Sequence, residues 1–119
     1  MDLAIAPIKP PIALADLDKI DIRVGTILSV EDVKGSDKLL KLTVGLGNSN
    51  RTILAGMKQE RENPQELVGK QALFVVNLEP KKMLGHSSEG MLFDIGYADG
   101  LVPVLAVPEN KIPDGARAG

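Results

Sequence analysis

The sequence predicts an all-β chain closed into a small antiparallel barrel. Apolar and polar residues alternate at period two in several separate stretches, as strands with one buried face require. Glycine, asparagine and serine, which suit tight turns, punctuate those stretches. The one clear helix signature spans barely more than a turn, too short for the crossover that joins parallel strands.

The opening segment carries Pro7, Pro10 and Pro11. Proline removes a backbone donor and biases its predecessor toward extended conformations, so this segment reads as an arm, residues 1–16. Ala15 to Ile20, ADLDKI, suits a single helical turn. In DIRVGTILSVEDV, Ile22, Val24, Thr26, Leu28 and Val30 recur at period two and define the first strand. Gly25 inside it allows a bulge or strong coil, as a strand bending around a barrel needs. After the turn GSDK, Leu40, Leu42, Val44 and Leu46 alternate with Lys41, Thr43 and Gly45, a second strand with a cationic outer face. GNSN then turns the chain into RTILAGM, with Ile53, Ala55 and Met57 on one side, which predicts a hairpin.

NPQELVGK holds the helix signature: Asn63 as cap, Pro64 at the first helical position, Glu66 where a capping box wants it and Gly69 as terminator. QALFVVNL follows as a nearly continuous apolar strand. NLEPKKMLGHSSEGMLF, Asn77 to Phe93, mixes lysines, glycines, serines and the single histidine in a pattern that suits neither strand nor helix, and reads as a loop. GMLFDIGY gives a fifth strand, Met91, Phe93, Ile95 and Tyr97 alternating, and LVPVLAV adds a short strand interrupted by Pro103. Three strands, a short helix and two further strands are the order of the five-stranded oligonucleotide/oligosaccharide-binding barrel, the OB-fold, here with N- and C-terminal extensions.

At 119 residues the chain is the size of one domain. Aromatics are only 3%, so aliphatic side chains must fill the core. No apolar run approaches the length needed to span a bilayer, the N-terminus is a poor signal peptide, and there is no cysteine, so the expected compartment is the cytoplasm and no membrane partner is expected. The net charge of −2 conceals an asymmetry. Residues 1–37 hold four basic and seven acidic groups, residues 38–82 eight and four, and residues 83–119 two and five. The basic field therefore lies in the middle of the chain.

Enzymatic chemistry fails on inventory. With no cysteine and only His86, neither a zinc site nor a nucleophilic triad can be assembled, so no metal, cofactor or catalytic residue is expected. Glu31 and Asp32 are adjacent on a strand and point to opposite faces. GLGNSN lacks the lysine and following helix of a phosphate loop, and GHSSEG lacks a nucleophile elbow. Binding is what remains.

DIRVGTI, GSDKLLKLTVGLG, RTILAGM, PQELVGK and NLEPKKMLGHSSEGMLF resemble, in that order, the tRNA-binding domain family. That domain occurs as a stand-alone homodimer, at the C-terminus of bacterial methionyl-tRNA synthetases, in other synthetase-associated proteins and in a small secretion-associated chaperone. The resemblance runs from about Leu17 to Gly119, with NL.PKK..G..S.GM its most specific part. It implies an OB-fold, non-catalytic and structure-directed tRNA binding, and a homodimer built by segments outside the barrel. It also implies a partner, methionyl-tRNA synthetase, which the chain would serve as auxiliary or beta subunit. Residues 17–119 then form the tRNA-binding unit with a C-terminal dimerisation segment. The alternative class is a chaperone-like member that holds unfolded polypeptide.

Pro80 stiffens the approach to Lys81 and Lys82, which are placed to meet phosphates through charge. Lys38, Lys41, Arg51 and Lys58 lie on or beside strands two and three, the oligonucleotide-binding face of this architecture. Asn77 has two readings, a base or ribose contact and a tie to loop backbone. Ser88 is either a turn hydroxyl or, as the resemblance implies, part of the nucleic-acid face. Periodicity puts Met91 in the core, whereas the resemblance adds base stacking. So few aromatics favour recognition of shape and phosphates over a long splayed single strand.

Overall fold

The long strand β1, Ile22–Asp32, is the spine of the molecule, and the computed structural model describes residues 5–119 around it. Before it comes the single turn α1, Leu14–Leu17; after it come β2, Leu40–Gly45, β3, Asn50–Ala55, and β4, Gln71–Val75. Then follow β5, Lys81–Met83, β6, His86–Ser88, β7, Met91–Leu92, β8, Asp94–Ile95, β9, Val104–Leu105, and β10, Arg117–Ala118. The main sheet runs β3-β2-β1-β4-β7, every pairing antiparallel. It curls until β3 meets the segment after β6, where Glu89 N–H donates to Thr52 O at 2.8 Å. Five strands thus close an all-β barrel of OB type.

Phe74 is the one aromatic residue in the core; Ile27, Leu40, Leu42, Val44, Ile53 and Leu67 pack around it, all fully buried. Each such side chain contributes roughly 1.5–3 kcal/mol of transfer free energy. Leu67 comes from the segment between β3 and β4, where the sequence places a helix. That helix is a four-residue 3-10 turn, Pro64–Leu67, and Asn63 Oδ1 accepts from Gln65 N–H at 3.3 Å as a cap should. Glu66 does not complete a capping box; it pairs with Arg61 at 3.7 Å.

Three expectations change. The helical turn before β1 starts earlier than Ala15, at Leu14. The bulge in β1 falls between Ile27 and Ser29, and Gly25 serves close packing instead: a Cβ there would stand 2.5 Å from Val44 Cγ1. The third concerns the fifth strand, which breaks into β7 and β8. Its alternation survives with the opposite phase. Phe74 pairs with Leu92, and directly opposed residues share a face, so Leu92 turns inward with Phe74. Met91 is therefore 45% exposed, and Phe93, Ile95 and Tyr97 are exposed with it.

The tail has its own anchors. Gln71 Nε2 donates to Ile112 O at 2.6 Å and to Asp114 Oδ1 at 2.9 Å, while Thr26 Oγ1 donates to Asp114 Oδ1 at 2.7 Å. β10 then pairs with the start of β1. In the arm, residues 5–13 pair with no strand, and Ala6 N–H donates to Asp99 Oδ1. The arm's first four residues, 1–4, lie outside the described residues.

Candidate nucleic-acid interface

Between Val76 and Gly90 the chain leaves the barrel, and here the structure corrects the expected loop. β5 and β6 form a β-hairpin, with Lys81 opposite Ser88, Lys82 opposite Ser87 and Met83 opposite His86. Leu84 and Gly85 make the turn at φ 49° and 82°. Positive φ at both central residues is the type I′ geometry whose twist suits paired strands. Three register pairs are too few for alternation to show in the sequence, and Leu-Gly is not among the turn signals that mark hairpins.

Ser88 fastens this hairpin to the barrel. Its side chain is only 4% exposed; its Oγ accepts the Leu54 amide hydrogen at 3.0 Å and donates to Gly90 O at 3.1 Å. Beside it, Thr52 N–H donates to Glu89 Oε1 at 3.0 Å. Since Lys41 pairs with Leu54 and Lys81 with Ser88, these residues are lateral neighbours across β2, β3, β6 and β5.

The cations on this flank differ in freedom. Lys81 and Lys82 are exposed, as is Lys38, and among the described residues none of the three makes an ion pair. Lys41 faces Glu31 across the strands, Nζ to Oε2 3.9 Å. Lys58 lies just past β3, donates its N–H to Lys38 O at 3.0 Å, and pairs through Nζ with Asp32 Oδ1 at 3.1 Å. Both pairs are partly exposed and worth little, so either lysine can turn to a phosphate at small cost.

Arg51, Asn77 and Met91 are placed otherwise. Arg51 shares the inward face of its partner Val44 and donates to Val76 O and, at 3.0 Å, to Glu89 O, which ties the barrel's end together. Asn77 Oδ1 accepts from Asp21 N–H at 2.8 Å, and its Nδ2 donates to Lys19 O at 2.6 Å. Both ends of the amide thus bind the segment that leads into β1. Met91, expected in the core from its periodicity, is on the surface beside Gly90.

One charged cluster carries no signal in the sequence. Arg23 Nε donates to Asp21 Oδ1 at 3.0 Å, and Arg117, 96 residues away from Asp21 in sequence, reaches the same oxygen at 3.3 Å. The Arg23 guanidinium, by hydrogen bonding to it, holds the Asp21 carboxyl below its ordinary value; partial burial opposes this and Arg117 adds to it. The cluster ties β10 to the start of β1. Among the described residues no helix is long and apolar enough to cross a membrane, and no group of three or more acidic or histidine side chains converges as metal ligands would.

Comparison with known proteins places this arrangement in context. Residues 22–117 match the family model described as "Putative tRNA binding domain". A methionine–tRNA ligase of Porphyromonas gingivalis is 44% identical over 112 residues, which cover 94% of this chain and 16% of that protein. The methionine–tRNA ligase of Clostridium acetobutylicum is 42% identical over 111 residues, 92% of this chain and 17% of the ligase. The chain thus spans about a sixth of the length of the curated relatives it matches. Among solved structures, the MetRS related protein from Pyrococcus horikoshii superimposes with a TM-score of 0.85 at 35% identity, covering 93% of this chain and all of that one. The chaperone CsaA of Bacillus anthracis gives 0.78 at 26% identity, covering 92% of this chain and all of that one.

Proposed function

Because the chain belongs to the tRNA-binding domain family, we propose that it binds tRNA by shape and phosphate charge, without catalysis and as a homodimer. The observation that carries this reading is the exposed pair Lys81 and Lys82, held on a hairpin that Ser88 fastens beside β2 and β3. Lys38, Lys41 and Lys58 extend the cationic surface across those strands, so a curved phosphate backbone can follow it despite the acidic average. Met91, exposed at the hairpin's base, offers a face for a base. Arg51, Asn77 and Ser88 act by holding the frame, since their polar groups already engage backbone. Residues 1–16 serve as an arm and residues 17–119 as the binding unit.

The relatives being methionine–tRNA ligases, the natural partner is a methionyl-tRNA synthetase in the cytoplasm, to which this unit would supply tRNA affinity as an auxiliary or beta subunit. A fluorescence titration against bulk tRNA and a length-matched single strand tests the reading. Preference for tRNA is expected; preference for the single strand would contradict recognition of shape.

A second reading rests on a separate observation. Phe93, Ile95 and Tyr97 are each exposed, and a chaperone shares the fold. Such a surface suits unfolded polypeptide. Competition between tRNA and a denatured protein at physiological salt separates the two readings: the tRNA reading expects tRNA to persist.

A further inference from the structure

The tip of the hairpin breaks a local rule. A two-residue type I′ turn wants asparagine or glycine at its first central position, because a Cβ in the left-handed region crowds the neighbouring carbonyl. Leu84 occupies that position at φ 49°, and among the described residues it is the one non-glycine with positive φ. Its side chain is 55% exposed, so burial in the chain's own core does not account for the choice. Strain without a compensating internal contact is characteristic of surfaces that meet a ligand.

The neighbours say what kind of ligand. Lys81 and Lys82 are exposed on β5 just before the tip, and as adjacent strand residues they point to opposite faces of the hairpin, so each can meet a phosphate on its own side of the tip. Between phosphates of a folded RNA lie riboses and bases, and an apolar side chain finds purchase there on an unstacked base, as apolar wedges do in nucleic-acid grooves. Resting on the tRNA reading above, we propose that Leu84 is a contact residue that packs against an unstacked nucleobase of folded RNA while Lys81 and Lys82 hold the flanking phosphates. A regular duplex keeps its bases stacked and offers the tip nothing. Leu84 would thus give the hairpin its preference for folded RNA, which charge alone cannot supply.

Leu84→Asn and Leu84→Gly test this, since both residues suit the turn and should keep or raise the melting temperature. Each is titrated against bulk tRNA and against a blunt RNA duplex of equal nucleotide count, over a range of salt. Expected is a loss of about tenfold in tRNA affinity, the order of one lost apolar contact, with duplex affinity and the salt slope unchanged. Undiminished tRNA affinity in both variants overturns the role of Leu84 and leaves the tRNA reading intact. An unchanged protein that binds no tRNA overturns both. Variants that keep tRNA but release a denatured polypeptide would assign the tip to a protein client and overturn the proposal.

Discussion

Ser88 Oγ accepts the amide hydrogen of Leu54 at 3.0 Å, a contact between residues 34 apart in sequence that supports both the barrel and the hairpin it carries. Ser88→Ala would leave that buried N–H unsatisfied, at a cost of roughly 1–3 kcal/mol. The melting temperature should fall, the Leu54 amide should exchange faster with deuterium, and tRNA affinity should drop because Lys81 and Lys82 lose their fixed base. Unchanged exchange at Leu54 would show that the hydroxyl does not secure the strand.

Lys81 and Lys82 should act through charge alone. Both are exposed, so replacing them together by glutamate leaves the core untouched and the circular dichroism unchanged. Each phosphate contact contributes somewhat under one log unit of affinity per decade of salt, roughly 0.7–0.9. The double variant should lose most tRNA binding and show a shallower salt slope. Full affinity in it would place the binding surface elsewhere.

The C-terminal tail should prove integral to the barrel. Gly47 and Gly115 sit at φ 92° and 91°, and a Cβ at either would meet backbone oxygen, Asp114 O at 2.7 Å and Leu46 O at 2.5 Å. The turn between β2 and β3 and the tail therefore touch through two glycines. Alanine at either position should destabilise by at least about 1 kcal/mol, since left-handed strain and a backbone clash add. Urea unfolding measures this, and a change near zero would show that the tail yields freely.

Acid should loosen the start of β1. The carboxyl of Asp21 is lowered from 3.8, chiefly by its hydrogen bond from Arg23. A carboxylate whose folded value is depressed stabilises the folded state fully above its unfolded value, and that contribution disappears as pH falls through the folded value. The native protein should lose stability below about pH 4, and Asp21→Asn should flatten that part of the curve while lowering stability at neutral pH. Identical acid limbs for the two proteins, followed by thermal unfolding, would exclude Asp21 as their source.

The legible and illegible parts divide along physical lines. β2 to β4 follow from alternation and turn residues, which act locally, whereas in β1 the bulge between Ile27 and Ser29 turns Ile27 inward and leaves Leu28, expected on the inward set, 46% exposed. For Met91, periodicity gave the spacing of side chains but not which set faces inward, because phase depends on the Phe74–Leu92 pairing that no local pattern encodes. The basic character of Lys81 and Lys82 was plain from composition, whereas the roles of Arg51, Asn77 and Ser88 rest on backbone partners up to 58 residues away. The hairpin leaves no local signal because its turn carries Leu84 where asparagine would announce one.

The apolar surface left outside the barrel should join two copies. Leu14, Leu17 and Ile20 from the segment before β1 meet Phe93 and Leu73 around a concavity of about 790 Å³, and Ile95 and Tyr97 lie exposed just beyond Phe93. An apolar patch of this continuity is unusual on a monomer. Leu14, Leu17, Ile20 and Phe93 are exposed at the edge of the sheet, so a second copy can cover them without disturbing the core. Deleting residues 94–119 would be a poor test, since it also removes β10 and the anchors to Gln71 and Thr26. Leu17→Asp with Phe93→Asp is cleaner, because both side chains are already exposed. Light scattering at micromolar concentration should return a dimer for the unchanged protein and a folded monomer for the double variant. A monomer mass for the unchanged protein would sink the dimer, and a dimer that survives both aspartates would place its interface elsewhere.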